Sequence, residues 1–476
     1  MTTPAVLPYG TWPSPLSAAE VSAASPRLDG ARFVGDEVWW GESVPEEAGR
    51  TAVRRRTASG TVEDVLPAPW NARSRVHEYG GGSWTATDDG VLLFVEKTDQ
   101  RVWRRGPGAP ARPLTADEGD VRYGGLTLQG GRLLAVREAH DAVSAPRRDV
   151  VEIPLDGSAA RDSSRVVSLA AGSDFVAQPA LSPDGTLLAW IAWNHPDMPW
   201  DRAELRVARV QGGGGAQWRT VAGGASSPLQ PVWTDAATLA YADDPTGRWN
   251  LWRVRLAPDL RPEHRRHVAP ADADTGDPLW VLDPRWFAIL DDGRILATRT
   301  DGSDELVLRD DDGSERPLPV PAVTRMSIED VHGTRVLLEG AGPRGAGLWE
   351  IDVDRSGDPR VVAGASSPWG DEWMPRPQPR TVSGPHGPVH AFDYPPTNPG
   401  AAGPEGELPP YIVFVHGGPT DHVGGAASGK IAYFTSRGIG VLDVNYGGSS
   451  GYGRAYRERL AGRWGVVDVD DVVAAA

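Results

Sequence analysis

Residues 178–210 read QPALSPDGTLLAWIAWNHPDMPWDRAELRVARV. A short apolar run closes on Asp184-Gly185, the dipeptide that supplies a positive-φ turn between two strands. A continuous Leu/Ala/Trp run follows, and then a third segment, Ala203–Val210, that alternates. The same order recurs in Arg32–Arg56, Ser83–Arg104, Gly125–Leu155, Gln230–Leu256, Pro284–Leu308 and Ser327–Val353. The seven copies start at 32, 83, 125, 178, 230, 284 and 327, so their spacing runs from 42 to 54 residues. Several strands repeated every ~40–50 residues are the pattern of β-propeller blades. Each small sheet then buries a face against the next, and the 19 Trp residues supply rings large enough to fill the wedge between them. An all-β sandwich, or two, with fortuitous spacing is the competing fold.

Outward from this repeat, composition narrows the partners. A formal charge of −16 repels phosphate backbones, which argues against nucleic acid. The chain has no Cys, hence no disulfide, thiolate metal site or Cys nucleophile. The stretch MTTPAVLPYGTWPSP has no basic region followed by an apolar core, and no apolar run reaches the ~18 residues of a membrane span. These features lead to the expectation of a soluble, cytoplasmic protein.

Before the first copy, Ser17-Ala18-Ala19-Glu20 forms a capping-box pattern. The leader Pro8–Ser25 is expected to be an arm outside the propeller. After Val353 the text becomes rich in Pro and Gly, and 380–396 reads as a hairpin around Gly384–Gly387. Tyr411–Val415 is a continuous apolar run, as in a strand covered on both faces. A helix over 426–436, a second buried strand over 439–446 and helices over 453–462 and from Asp468 follow. Strand–helix–strand–helix predicts an α/β domain with a parallel sheet. The expected organisation is multidomain β and α/β: an arm at 1–30, a seven-bladed β-propeller at 31–375, and the beginning of an α/β-hydrolase domain at 376–476.

The Tyr411 strand ends in His416-Gly417-Gly418-Pro419, where glycines let backbone N–H groups approach a substrate. Thirty residues on stands NYGGSSGYG (445–453). Together with YGTWPSP (9–15), RVHEYGGGSW (75–84) and YADDPTGRWNLWR (241–253), these segments resemble the prolyl oligopeptidase family of serine peptidases. The acylaminoacyl-peptidase and dipeptidyl-aminopeptidase-like bacterial members are the most similar in pattern. The resemblance implies a propeller capping an α/β-hydrolase, with a Ser-Asp-His triad between them. It implies an oxyanion hole built on the N–H of Gly417 or Gly418. His416, Pro419 and Tyr446 would support that loop, His416 as a strand-end anchor through a buried hydrogen bond. Relatives usually read NYRGS, so Gly447 stands where an Arg braces the loop.

Gly447-Gly448-Ser449-Ser450-Gly451 matches the nucleophile elbow G-x-S-x-G. It follows the wrong strand, no His occurs after His422, and in the family this segment is a different loop, so Ser449 is not taken as the nucleophile. Only 56 residues follow Thr420, and the triad is expected beyond Ala476, leaving the chain as given without turnover. The sheet is expected to expose an edge at its newest strand. Glu78, in HEYGGG, is a candidate substrate-facing acid of the propeller, though a structural turn is the plainer reading. His195 and Asp197 are read as loop packing, and Asp272, Asp274 and Asp277 as a solvated acidic loop. His264 and His267 lack a carboxylate framework, so no metal and no cofactor is expected. The implied function is a serine peptidase hydrolysing short peptides. The rival is a non-catalytic propeller that binds partners and carries a hydrolase remnant.

Overall fold

The computed structural model describes residues 4–23, 25–141, 145–210, 217–355 and 357–476. Seven four-stranded antiparallel sheets follow one another in chain order, over 28–64, 84–113, 121–171, 175–223, 229–269, 287–318 and 324–364. They fall in the segments where the repeat was read. The apolar run of the repeat is the second strand of each sheet. In the fourth sheet this is Leu187–Trp193, buried at every position, because sheets cover it on both faces. The Asp-Gly turns have the expected geometry, with Gly90, Gly185 and Gly293 at φ of 80°, 69° and 92°.

The innermost strands carry a device that the sequence reading did not register. Five are bulged near a residue at positive φ: Gly30, Gly125, Gln178, Gln230 and Arg325. A bulge re-aims a side chain at the cost of a ladder bond. Gln178 and Gln230 use it to tie sheet to sheet. The Gln178 side-chain Oε1 accepts from the Gln230 backbone N–H at 2.7 Å, and the Gln230 side-chain amide donates to the Phe287 carbonyl at 2.6 Å. The first sheet meets the seventh: Phe33 N–H donates to Asp330 at 2.8 Å, and Phe33 and Trp40 pack with Leu337 and Leu348.

A further sheet follows, with strand order Gln378–Gly384, Gly387–Tyr394, Gly440–Asn445, Tyr411–Val415. It corrects two expectations. The sheet is mixed, because the hairpin strand runs antiparallel to Gly440–Asn445 and only Tyr411–Val415 runs parallel to it. And Tyr411–Val415 is an edge strand, with Tyr411 43% and Val415 55% exposed. The newest strand, Gly440–Asn445, inserts at the centre, so the open edge belongs to the older one. Helices α1 (Ala18–Ser22), α2 (Gly429–Thr435), α3 (Arg454–Arg457) and α4 (Val467–Ala475) complete the elements used below. The capping box of Ser17 and Glu20 opens α1 as read. The arm lies against the C-terminal part: Ala5–Val6 pairs with Ala401–Ala402, and Trp12 packs on Gly438.

Ring and C-terminal sheet meet through buried polar contacts. Asp244, fully buried, takes both Arg454 and Arg457 of α3, and the Arg457 guanidinium lies 4.0 Å above the Trp249 ring. Gly453 N–H donates to Asp274 at 3.0 Å, and Trp280 donates to the Thr420 carbonyl at 2.7 Å. Asp274 is therefore not part of a solvated loop: it is buried, paired with Arg248, and caps two backbone N–H groups. Of the three acids in that segment, only Asp272 stands in solvent. Removing one partner of a buried ion pair strands the other charge. Asp244→Ala is therefore expected to cost about 3–5 kcal/mol in urea unfolding. A loss below about 1 kcal/mol, the size of a surface pair, would remove this contact as the main tie.

Candidate functional site

The edge strand Tyr411–Val415 delivers His416 at its end, and the chain then turns through Gly417 and Gly418. Gly418 adopts φ 130°, and a Cβ there would stand 2.9 Å from the Thr420 nitrogen, so only glycine suits the position. Gly417 and Gly418 are exposed, and their N–H groups take no partner among the described residues. Two free adjacent donors on a constrained turn are what an oxyanion requires.

His416 is held on three sides. Its ring stacks on Tyr446 at 4.7 Å, its Nδ1 lies 2.9 Å from the Gly417 carbonyl, and its Nε2 lies 2.8 Å from Ser449 Oγ. The Tyr446 hydroxyl donates back to the His416 carbonyl at 3.0 Å. Burial lowers the His416 pKa and keeps the ring neutral. The sequence reading set Ser449 aside on strand order, the lack of a later His and the family pattern, and did not foresee that Ser449 touches a histidine. The geometry still describes an anchor. Ser449 is fully buried, its hydroxyl is shared with the Tyr446 carbonyl at 2.7 Å, and His416 Nδ1 faces a carbonyl instead of an orienting carboxylate.

A second Ser–His–Asp grouping has the same shortfall. Ser450 and Asp277 both approach Nδ1 of His422, at 3.0 and 3.8 Å, while Nε2 is buried without a partner. A base that takes a proton from Ser with one nitrogen needs the carboxylate on the other. Asp277, Asp421 and His422 bring ligand-type atoms within 4.8 Å of one another. Both Asp421 oxygens are in use, one by Arg325 and one by the His422 N–H.

A cavity of about 730 Å³ opens between ring and loop, with Gly418, Asp421 and His422 on one wall. The facing wall holds Asp29, Asp283, Glu329 and Glu339, with Tyr79 and Trp280 beside them. Burial, reinforced by Asp283, raises Asp29 to about 7; burial also raises Glu329 and lifts Glu339 well above the usual range. The sequence reading missed all four of these acids; Asp29, Asp283 and Glu329 lie on or just before the innermost strands of their sheets. An acid at that point of the repeat was the available signal. Glu78 does not line this cavity. It sits at φ 70° in a turn, 76% exposed, paired with Arg122 at 3.0 Å.

The loop after Asn445 is braced in another way than by an Arg. Gly447 N–H donates to the buried Asp471 of α4 at 2.8 Å, and Gly448 N–H donates to the Tyr456 carbonyl at 3.0 Å. A Cβ at Gly447 would stand 2.8 Å from Asp471 Oδ2 and 2.9 Å from Val467. The glycine thus lets α4 close on the loop.

The prolyl oligopeptidase family model matches residues 426–476. A puromycin-hydrolysing peptidase of Mycobacterium tuberculosis superposes with a TM-score of 0.91 at 43% identity, over 99% of this chain and 74% of that one. The chain belongs to the prolyl oligopeptidase family. A puromycin hydrolase structure agrees, with a TM-score of 0.89 at 41% identity, again over 99% of this chain and 74% of the other. Acylamino-acid-releasing enzyme 1 of Oryza sativa subsp. japonica is 41% identical over 66 residues, 14% of this chain and 8% of that enzyme. An acylaminoacyl peptidase of Pyrococcus horikoshii, at 15% identity and a TM-score of 0.63, shares the fold. No helix among the described residues is long and apolar enough to cross a membrane.

Two outcomes test the site's construction. Gly447→Ala is expected to cost about 1–3 kcal/mol by overpacking, with faster amide exchange over 446–452. Unchanged exchange there would show that α4 does not brace the loop. Burial, opposed by His422 and reinforced by Asp421, raises Asp277 to about 6. Its native carboxyl therefore holds a proton that the unfolded chain releases near pH 4, and the stability this confers disappears as pH rises through 6. Asp277→Asn should match the parent protein near pH 4 and become the more stable of the two above pH 6. A constant difference between pH 4 and 8 would refute the shift.

Proposed function

We propose that this chain is the propeller and the leading part of the catalytic domain of a serine peptidase that cleaves short peptides and aminoacyl amides. The boundaries proposed are an arm at 1–30, a seven-bladed propeller at 31–375 and the α/β-hydrolase portion at 376–476. The seven sheets in succession, with the first meeting the seventh, support that blade count. The observation that carries the function is the free donor pair of Gly417 and Gly418, of which Gly418 lines the cavity between ring and sheet. Likeness at 41–43% identity to peptidases named for puromycin hydrolysis supports an aminoacyl amide as substrate.

The residues present supply the oxyanion loop and its supports, His416, Pro419 and Tyr446. Neither Ser449 nor Ser450 is placed to attack: both are fully buried, and neither is served by a base with a carboxylate behind it. The acyl-enzyme chemistry of the family needs a nucleophile on the open side of Gly418, with an imidazole to take its proton. A soluble, cytoplasmic setting is part of the same proposal.

The chain alone is expected to give no turnover of an aminoacyl-nitroanilide. Fused to the C-terminal quarter of the M. tuberculosis relative, it is expected to turn the substrate over. Gly417→Pro and Gly418→Ala in that fusion should lower kcat, Gly417→Pro by about 10²–10³ if its N–H serves the oxyanion. Turnover by the chain alone that is abolished by Ser449→Ala would overturn the assignment of Ser449 as an anchor. A folded fusion without turnover would favour the binding-propeller alternative.

A further inference from the structure

The opposite side of the sheet from α4 carries a group that the peptidase reading does not use. Asp443 lies at the middle of the central strand, 8% exposed. Its neighbours in register on the two flanking strands are Phe392 and Phe414. No hydrogen bond or ion pair reaches its carboxylate among the described residues, and burial alone pushes it up to about 6. A buried carboxylate without a counter-charge is costly unless a ligand supplies one.

That carboxylate lines a cavity of about 660 Å³ between the arm, the seventh sheet and α2. The walls are aromatic and apolar: Tyr394, Phe414, Trp369 and Met374. Three cations stand at its boundary. Arg325 is engaged by Asp421 and Arg344 by Asp371, while Lys430 is exposed and in no ion pair among the described residues. An anionic point deep in an aromatic wall selects an ammonium, through charge and through the ring faces. A free cation at the boundary selects a carboxylate. The chemistry that satisfies both is a zwitterion on an apolar body.

We propose that the Asp443 cavity binds an apolar, preferably aromatic, amino acid, with the ammonium on Asp443, the side chain against Trp369 and Met374, and the carboxylate toward Lys430. Gly417 and Gly418 do not line this cavity, although Arg325 and His422 border both it and the cavity beside Gly418; the assignment concerns binding alone and does not depend on the peptidase reading.

Calorimetry on the full chain with L-phenylalanine, N-acetyl-L-phenylalanine and phenethylamine tests it. Phenylalanine is expected to bind saturably. The acetylated form, without its ammonium, should bind at least about tenfold more weakly, the loss of one charge-assisted hydrogen bond. Asp443→Asn, which keeps shape and removes charge, should abolish binding of phenylalanine and phenethylamine. Lys430→Met should bring phenylalanine down to the affinity of phenethylamine. Equal binding of the free and acetylated forms, undiminished binding by Asp443→Asn, or no saturable binding would overturn the site. Equal affinity for phenylalanine and phenethylamine in the parent chain would overturn the zwitterion. Should Asp443→Asn fail to fold, the comparison of free with acetylated ligand on the parent chain still decides.

Discussion

A four-stranded sheet whose central strands are apolar on both faces has no stable existence alone. Leu187–Trp193, buried at all seven positions, states that constraint most sharply. One face can be covered by the preceding sheet and the other only by the following one, so the sheets must run on until the first can cover the last. Phe33 and Trp40 of the first sheet, packed on Leu337 and Leu348 of the seventh, are where that requirement is met. Everything else in the molecule is arranged around the surface this leaves. Of the bulged inner positions, Gln178 and Gln230 turn their side chains to link sheet to sheet, and Arg325 reaches Asp421 of the C-terminal part.

Buried charge ties the C-terminal sheet to the ring. Asp244 receives two guanidinium groups, and one of them also lies on the Trp249 ring. Such a cluster is a weak source of net stability but a strong source of register, because any displacement strands a buried charge. That rigidity matters for Gly417 and Gly418. Donors contribute to an oxyanion site only if they are already in position when charge develops, and the Trp280–Thr420 and Arg325–Asp421 contacts hold the loop they belong to.

The repeat was legible because its signal is local: an Asp-Gly turn, an apolar run and an alternating strand lie within some thirty residues of sequence. The family pattern singled out His416 and Tyr446, whose rings stack at 4.7 Å. What was not legible depends on partners far along the chain. Tyr411–Val415 reads as a doubly covered strand from its five apolar residues, yet among the strands this chain supplies it stands at the edge, and order is not written in a strand's own composition. Asp274 looks like a surface acid among Asp272 and Asp277 until α3 arrives from some 180 residues away to use it. The carboxylates opposite Gly418 come from the first sheet, the seventh sheet and the segment before the sixth, and only the ring brings them to one wall.

Ser449 shows how a motif and a geometry can agree on a pairing and still not make a catalyst. The G-x-S-x-G spacing is present, and a histidine nitrogen lies 2.8 Å from the hydroxyl. Yet the loop bends so that Ser449 Oγ points back to the Tyr446 carbonyl, and Tyr446 in turn donates to the carbonyl of His416. With the ring neutral, Nδ1–H is taken by the Gly417 carbonyl, the Ser449 O–H is shared between His416 Nε2 and the Tyr446 carbonyl, and the Tyr446 O–H is taken by the His416 carbonyl, so each donor is consumed by a neighbour. A nucleophile must instead present an uncommitted lone pair to solvent or substrate. These bonds give the neighbouring Gly417–Gly418 turn a fixed base, and a fixed base is the contribution this loop makes to the site.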